Sequence, residues 1–306
     1  MRDGERYYSF SSYCKDTFGR RLYRCALDAG FTCPVRDGSK DSRGCIFCAG
    51  GSGDFAISYH GQDLDLGDMT FNHQNVEEGD YIAYFQAYTN TYGTVEHCRK
   101  LFSAALSSDL FAGISIATRP DCLDEDMVKM LEELKEEYPS KFIWVELGLQ
   151  TMHERTALWM RRGYDLSVYD ACMERLNEAG IPVIVHVIIG LPDETEEDLK
   201  ATILHLNETG VSGVKLQLLQ YLKGTDLGED YMKNSSDYHP LTEEEYVDLA
   251  CMCLGYLKKD IVIHRLTGDA DRNLLLAPEW AVHKKHTLNL IRKRMKELNL
   301  EQGGYL

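Results

Sequence analysis

The sequence predicts an α/β fold of parallel strand–helix–strand units, wound into either a doubly wound sheet or a barrel. Three observations carry this. Short apolar runs recur along the chain, stretches with helical periodicity lie between them, and turn residues separate the two kinds of segment. Right-handed crossovers then leave only those two ways of stacking the units. The 306 residues, 44% hydrophobic and 27% charged, suffice for one large domain or two modest ones.

Taken in order, an early strand falls near Tyr23 to Thr32, followed by runs at Tyr81 to Tyr88, Phe111 to Ala117, Phe142 to Leu147, Val183 to Ile189 and Val214 to Leu219. Helical patterns fill 94–107, 124–138, 167–179 and 195–208. The last opens on an acidic turn, with Thr195 and Asp198 spaced as a capping box. Gly and Asp clusters over 49–80 break the rhythm and read as a long loop with one short helix. Beyond about 236 the pattern changes to a helix near 241–258, a short strand at Ile261 to His264 and a basic helix near 279–299. We therefore divide the chain into an N-terminal extension (1–20), the repeating unit (21–235) and a C-terminal extension (236–306).

A net charge of −16 argues against a surface coated for nucleic acid, but the charge is uneven. Residues 279–306 hold six basic groups against three acidic ones, with a Leu288, Ile291, Met295, Leu298 stripe expected to pack inward. A second basic island spans 15–43. Either can be a solvated face or the landing place of an anionic partner. No apolar run has the roughly 20 residues of a membrane span, and the polar start lacks a secretory pattern, so the expected compartment is the cytoplasm.

Ten cysteines in such a chain do not suggest a disulfide framework. Seven are scattered in apolar or helical contexts, while Cys33, Cys45 and Cys48 share one loop after the first strand, spaced C-x11-C-x2-C. A structural zinc site or an electron-transfer iron–sulfur cluster wants four protein ligands, and three leave one metal position open for chemistry. Zinc completed by His60 or Cys25, or unrelated buried thiols, are the alternatives. In either α/β architecture the chemistry belongs at the carboxyl ends of strands.

With those residues in view, the loop resembles the cluster loop of the radical S-adenosylmethionine (SAM) superfamily, with Phe47 just before the last cysteine. The long first gap resembles the subgroup that contains the Elongator catalytic subunit. Later strand ends agree: Ile116 to Asp121, Val145 to Thr151, Arg161 to Asp165, Val187 to Thr195 and Lys223 to Thr225 each resemble a motif of that subgroup. Two positions depart from it. Ala117 stands where many relatives have a SAM-contacting Glu, and Tyr88-Thr89-Asn90-Thr91-Tyr92 replaces a Gly-Gly-Glu element. The runs Leu27 to Pro34, Gly51 to Phe55 and Val262 to Asp269 are similar to the YhcC/YtqA group.

The resemblance implies a partial (β/α)6 TIM-type barrel with N- and C-terminal extensions. It implies a [4Fe–4S] cluster held by Cys33, Cys45 and Cys48, and SAM contacts from Phe47, Asn90, Gln150 and Arg162. The implied chemistry is reductive cleavage of SAM to a 5′-deoxyadenosyl radical that abstracts hydrogen from substrate. One branch of the group is linked to wobble-uridine side chains in tRNA, which makes tRNA an implied partner, with a reductase or flavodoxin-type electron donor. A small metabolite or porphyrin-like substrate is the rival, and a non-catalytic iron–sulfur or zinc protein the third reading. No residue is assigned a catalytic role beyond these. Glu146 is expected to point into the barrel as a salt bridge or a ligand, and His186 to be a satisfied core histidine. No further C-x2-C exists for a second cluster.

Overall fold

One strand shows how the molecule is layered. In the computed structural model, which describes residues 4–50, 56–68, 77–268 and 272–306, β5 (Phe142–Gln150) alternates between two environments. Ile143, Val145, Leu147 and Leu149 point outward into the main core under the helices. Phe142, Trp144, Glu146, Gly148 and Gln150 occupy the other face. Along that inner face the residues run from aromatic to charged to small and polar. The barrel interior follows the same gradient, from a closed amino end to an open carboxyl end.

The strands β1 (Tyr23–Asp28), β2 (Ile57–Ser58), β3 (Tyr81–Phe85), β4 (Phe111–Thr118), β5, β6 (Val183–Ile189), β7 (Gly213–Leu218) and β9 (Val262–Arg265) form one parallel sheet. Its order is β2-β1-β3-β4-β5-β6-β7-β9. Among the described residues no ladder joins β2 to β9, so the barrel is partial. A small antiparallel pair, β8 (Tyr221–Leu222) with β10 (Leu275–Ala277), lies beside it. Helices α2 (Val95–Ser107), α3 (Glu125–Glu137), α5 (Leu166–Glu178) and α6 (Glu196–Glu208) cover the outside as crossovers, and α4 (Glu154–Trp159) precedes α5. Their starts are set by side-chain caps: Thr94, Asp124 and Thr195 each accept a backbone N–H, and the Thr195–Asp198 capping box forms as expected.

The amino end is sealed by α1 (Phe10–Phe18). Its Phe10, Tyr13 and Phe18 pack against Phe142 and Trp144 over Leu22, Ile82 and Ile184. The two terminal segments meet beside the sheet edge, where Ile263 N donates to Tyr8 O at 2.8 Å and one side chain joins both segments to the turn before β9. Gln302, fully buried, accepts from Tyr8 N (2.8 Å) and donates to the carbonyls of Lys258 (2.7 Å) and Ile261 (2.8 Å). Its own backbone N–H meets Arg6 O at 2.8 Å.

Several boundaries differ from the sequence reading, each for a local reason. β1 stops at Asp28 because the chain turns at Gly30 (φ +73°), whose N–H is taken by the Asp28 carboxylate at 3.0 Å. β3 stops at Phe85, whose carbonyl is taken by the Asn90 side chain, and Tyr88 adopts φ +60°. The short strand of the C-terminal segment is β9, which pairs with β7 and extends the same sheet. α7 (Asp226–Lys233) follows the Lys223-Gly224-Thr225 turn, and α8 (Glu243–Tyr256) packs with α9 (Lys284–Glu297). On α9 the expected stripe is corrected at one end. Ile291 and Met295 are buried, but Leu298 is 44% exposed because the helix has ended and Leu300 takes the inward place.

Candidate active site

The carboxyl ends of the strands surround a cavity of about 300 Å³. Cys33, Cys45 and Cys48 form one wall, and Phe47, Gln150 and Arg162 also face it. Six of the seven residues singled out in the sequence thus reach it, from the loop after β1, from β5 and from the turn after α4, as expected of parallel α/β units.

The long gap between Cys33 and Cys45 is a folded excursion. Arg36 N and Asp37 N both donate to Cys33 O (2.8 and 3.2 Å), and Gly44 N returns to Val35 O at 2.6 Å. The Arg36 side chain fills the excursion and donates to the carbonyl of Cys48. Gly44 has φ +77°, and a Cβ there would stand 2.8 Å from Arg36 Nε, so both conformation and space call for glycine. Burial and the neighbouring Cys48 push the Cys45 thiol up to about 12. A bare thiolate is therefore disfavoured at this place, and a bound cation would reverse that. Among the described residues no three His, Cys, Asp or Glu side chains close on a single metal ion. In a cluster each thiolate binds a different iron, so its ligands stand apart rather than close on one ion, which suits three cysteines lining one wall. Cys25 lies in the sheet–helix core and His60 is exposed, so the expected completions of a zinc site stand away from the wall.

On the lining of the same cavity, buried polar atoms lack partners. Gln150, held at φ +69°, has no partner for Oε1. Arg162 is 2% exposed and braces the turn by donating to the carbonyls of Leu149 (3.2 Å), Thr151 (2.7 Å) and Tyr164 (3.1 Å). Its Nη2 makes no hydrogen bond and only a 3.5 Å ion pair with Glu154. Buried groups of this kind are normally satisfied, and a strained backbone at Gln150 adds a second sign of a ligand site. Asn90 sits differently. Fully buried behind Thr89, it spends its NH2 on the carbonyls of Phe85 (3.0 Å) and Ala117 (2.9 Å), leaving only Oδ1 unpartnered. It clasps the ends of β3 and β4 and is the one expected contact that does not face the cavity. Phe47 is half-buried against Met160 and Ile188 at the cavity edge.

Deeper in, Glu146 accepts from Ser115 Oγ (2.8 Å), His186 Nε2 (2.8 Å) and Lys215 Nζ, and Lys215 also donates to Tyr84 OH (3.0 Å). Burial alone would raise Glu146, but Lys215, His186 and Arg24 outweigh it and hold its carboxyl well below the usual range. Burial, then the charge of Lys215, lowers His186, which stays neutral with Nε2 donating and Nδ1 accepting from Gln217 at 3.4 Å. The salt-bridge alternative for Glu146 is therefore realised, and His186 is satisfied but faces the cavity rather than the core. Lys215, Tyr84, Arg36 and Arg119 escaped the sequence reading. Arg119, paired with Asp121 at 2.9 Å, lies over the Tyr164 ring on the cavity wall. The run Gly51 to Phe55 and Asp269 lie outside the described residues.

Comparison with known proteins places this geometry. The sequence profile of the Radical SAM superfamily matches residues 42–206, and that of the Radical_SAM C-terminal domain matches residues 211–297. The chain belongs to the radical SAM superfamily, whose enzymes use a [4Fe–4S] cluster and SAM. It is similar to the uncharacterized protein YtqA of Bacillus subtilis, at 40% identity over 98% of this chain and 93% of that one. A tRNA uridine(34) acetyltransferase of Methanocaldococcus jannaschii is 23% identical over 60% of this chain but only 32% of its own length. The archaeal Elp3 of Methanocaldococcus infernus shares the fold, with a TM-score of 0.60 at 17% identity over 72% of this chain and 55% of that one. No helix among the described residues is long and apolar enough to cross a membrane.

Proposed function

We propose that this cavity is the reaction chamber of a radical SAM enzyme acting on a modified uridine side chain in tRNA. Cys33, Cys45 and Cys48 hold the cluster. Gln150 Oε1 and Arg162 Nη2 supply an acceptor and a donor to SAM, and Phe47 lies beside its adenine, while Asn90 holds the ends of β3 and β4 behind the wall. The carrying observation is that three thiols and two residues with unpartnered buried polar atoms line one cavity at the strand ends. When bound, the cluster and SAM supply a carbon radical that takes a hydrogen atom from substrate. The chain's own part is to orient, and to keep water out through the sealed aromatic end below.

Support for the RNA half is the partial likeness to a protein named for tRNA uridine(34), and the exposed Lys285, Arg292, Lys293 and Lys296 of the last helix, which suit phosphate. The test has two arms. Anaerobically reconstituted protein should carry about four irons per chain and form 5′-deoxyadenosine on reduction; neither result would leave only a binding protein. A nucleoside profile of tRNA from cells with and without the gene should lose one modified uridine and accumulate its precursor. An unchanged profile, with 5′-deoxyadenosine formed, replaces tRNA by a small metabolite.

A further inference from the structure

In a chain of net charge −16, the described residues that line the cavity include five Lys or Arg and one carboxylate, Glu146. The cations fall into two groups. Arg36, Arg119 and Arg162 lie at the open end: Arg36 feels Cys48 and Cys45, Arg119 feels Asp121 and Cys33, and Arg162 is paired with Glu154. The charges of thiolates and of a bound SAM carboxylate answer that group. Lys215 and Arg265 lie at the inner end, where Glu146 is the only acidic side chain on the wall among the described residues.

Lys215 is 1% exposed and uses two of its three donors, on Glu146 and Tyr84. Behind it Arg24, in contact with the Phe10 ring at 4.2 Å, donates to His264 Nδ1 at 2.9 Å and has a buried Nε without a partner. Burial, with Arg24 and Arg265 pressing on it, brings the Lys215 ammonium down to about 7 despite Glu146. A cation pushed this far in a packed interior is stabilised by any further negative charge brought near it. The space is available, because a side lobe of about 260 Å³ shares His186, Gln217 and Arg265 with the cavity, and Phe47 and Gln150 toward its mouth, and no acidic side chain lines it among the described residues.

We infer that the inner end of the cavity is an anion subsite, in which Lys215 and Arg265, with Gln217 and His186 beside them, hold a carboxylate or phosphate group of the substrate. The inference rests on the cavity being the reaction chamber, but not on tRNA as the scaffold that carries the anion. Glu146 then has a second meaning. It keeps Lys215 tolerable in the empty site and competes with the incoming anion, so its removal should strengthen binding. A purely structural ion pair predicts the opposite, since either truncation would damage the pocket.

Calorimetry on the reconstituted protein saturated with SAM, so that the SAM carboxylate site is already filled, reads this directly. Succinate and inorganic phosphate are the anionic probes and succinamide the neutral isostere of the first, all at one ionic strength. At least one anion should bind about tenfold or more tightly than succinamide. Succinate ahead of phosphate assigns a carboxylate, and the reverse order assigns a phosphate. Glu146→Gln should raise anion affinity several-fold, and Lys215→Met should abolish the preference. Where Lys215→Met fails to fold, the Glu146→Gln/Lys215→Met double variant removes both charges and should bind anion and amide alike. Equal binding of all three probes, or weakened anion binding in Glu146→Gln, overturns the subsite. Because no turnover or RNA enters the measurement, a failure of the tRNA reading leaves this result standing.

Discussion

The two ends of the barrel treat polar groups in opposite ways. At the closed end Gln302 makes three side-chain hydrogen bonds in full burial, and aromatic rings of α1 and β5 fill the space between. At the open end Gln150, Arg162 and Asn90 each keep a buried atom without a partner. Leaving such an atom unmet costs on the order of 1–3 kcal/mol. Toward the closed end Arg24 Nε, beside the Phe10 ring, is unpartnered as well, but the atoms on Gln150 and Arg162 belong to residues that line the cavity, which marks the open end as the one a ligand completes. The middle layer belongs to neither: Glu146, Lys215, His186 and Tyr84 satisfy one another, yet the layer stays rich in positive charge.

The sharpest way to break this comparison is at the open end. Replacing Cys45 by Ala should remove the cluster and with it all 5′-deoxyadenosine formation, while the unfolding midpoint of the metal-free protein changes little. Cys45 Sγ donates to the Arg161 carbonyl at 3.7 Å from a half-buried place on the cavity wall, so its loss opens little of the packed core. Retained iron and turnover in Cys45→Ala would sink the ligand assignment.

In the middle layer the expected loss is one of stability. Lys215→Met leaves Glu146 buried without its main counter-charge, and breaking a buried pair from one side costs about 3–5 kcal/mol. The cost should show in chemical denaturation, and the Glu146→Gln/Lys215→Met double variant should recover most of it. If the double variant is no more stable than the single, the two groups are not coupled as the geometry has them.

Much of this was legible beforehand. The strand–helix order, the helix starts at Thr94, Asp124 and Thr195, and the single loop carrying three cysteines follow from periodicity, caps and spacing, which are local properties. Lys215 was not, although a signal existed. Val214-Lys215-Leu216-Gln217-Leu218 alternates apolar and polar within a strand, which puts Lys215 and Gln217 on the inner face with Glu146 and His186. Read only as an apolar run, it hid its polar face. Asn90 failed for a different reason. Its role depends on which carbonyls end β3 and β4, and the second of these, Ala117, lies 27 positions away in sequence.

At the closed end Gln302→Ala should destabilise by about 1–3 kcal/mol, since it strands Tyr8 N and the carbonyls of Lys258 and Ile261 between α8 and β9. The cluster content and SAM binding of this variant should match the parent. A variant that unfolds no earlier than the parent would mean the termini do not hold the sheet edge, and that the closed end owes its order to the α1 aromatics alone.

The gentlest probe is pH, and it separates the middle layer from both ends. Lys215 has a folded value near 7 against an unfolded value of about 10.5. Between those limits the unfolded chain binds a proton that the folded chain has given up, so stability should rise with pH across that window. The slope is at most about 1.4 kcal/mol per pH unit. The groups that face Lys215 do not disturb this sign. Tyr84 is raised well above 10 by burial and Glu146, Glu146 itself is charged throughout, and His186 and His264 are held neutral by burial and by the neighbouring cations. An anion at the inner end of the cavity would favour the protonated ammonium and lift its value. Denaturation curves from pH 7 to 10, with and without succinate, should therefore show the slope in the free protein and a smaller one in the bound protein, whereas the Lys215→Met variant should show neither the slope nor the response.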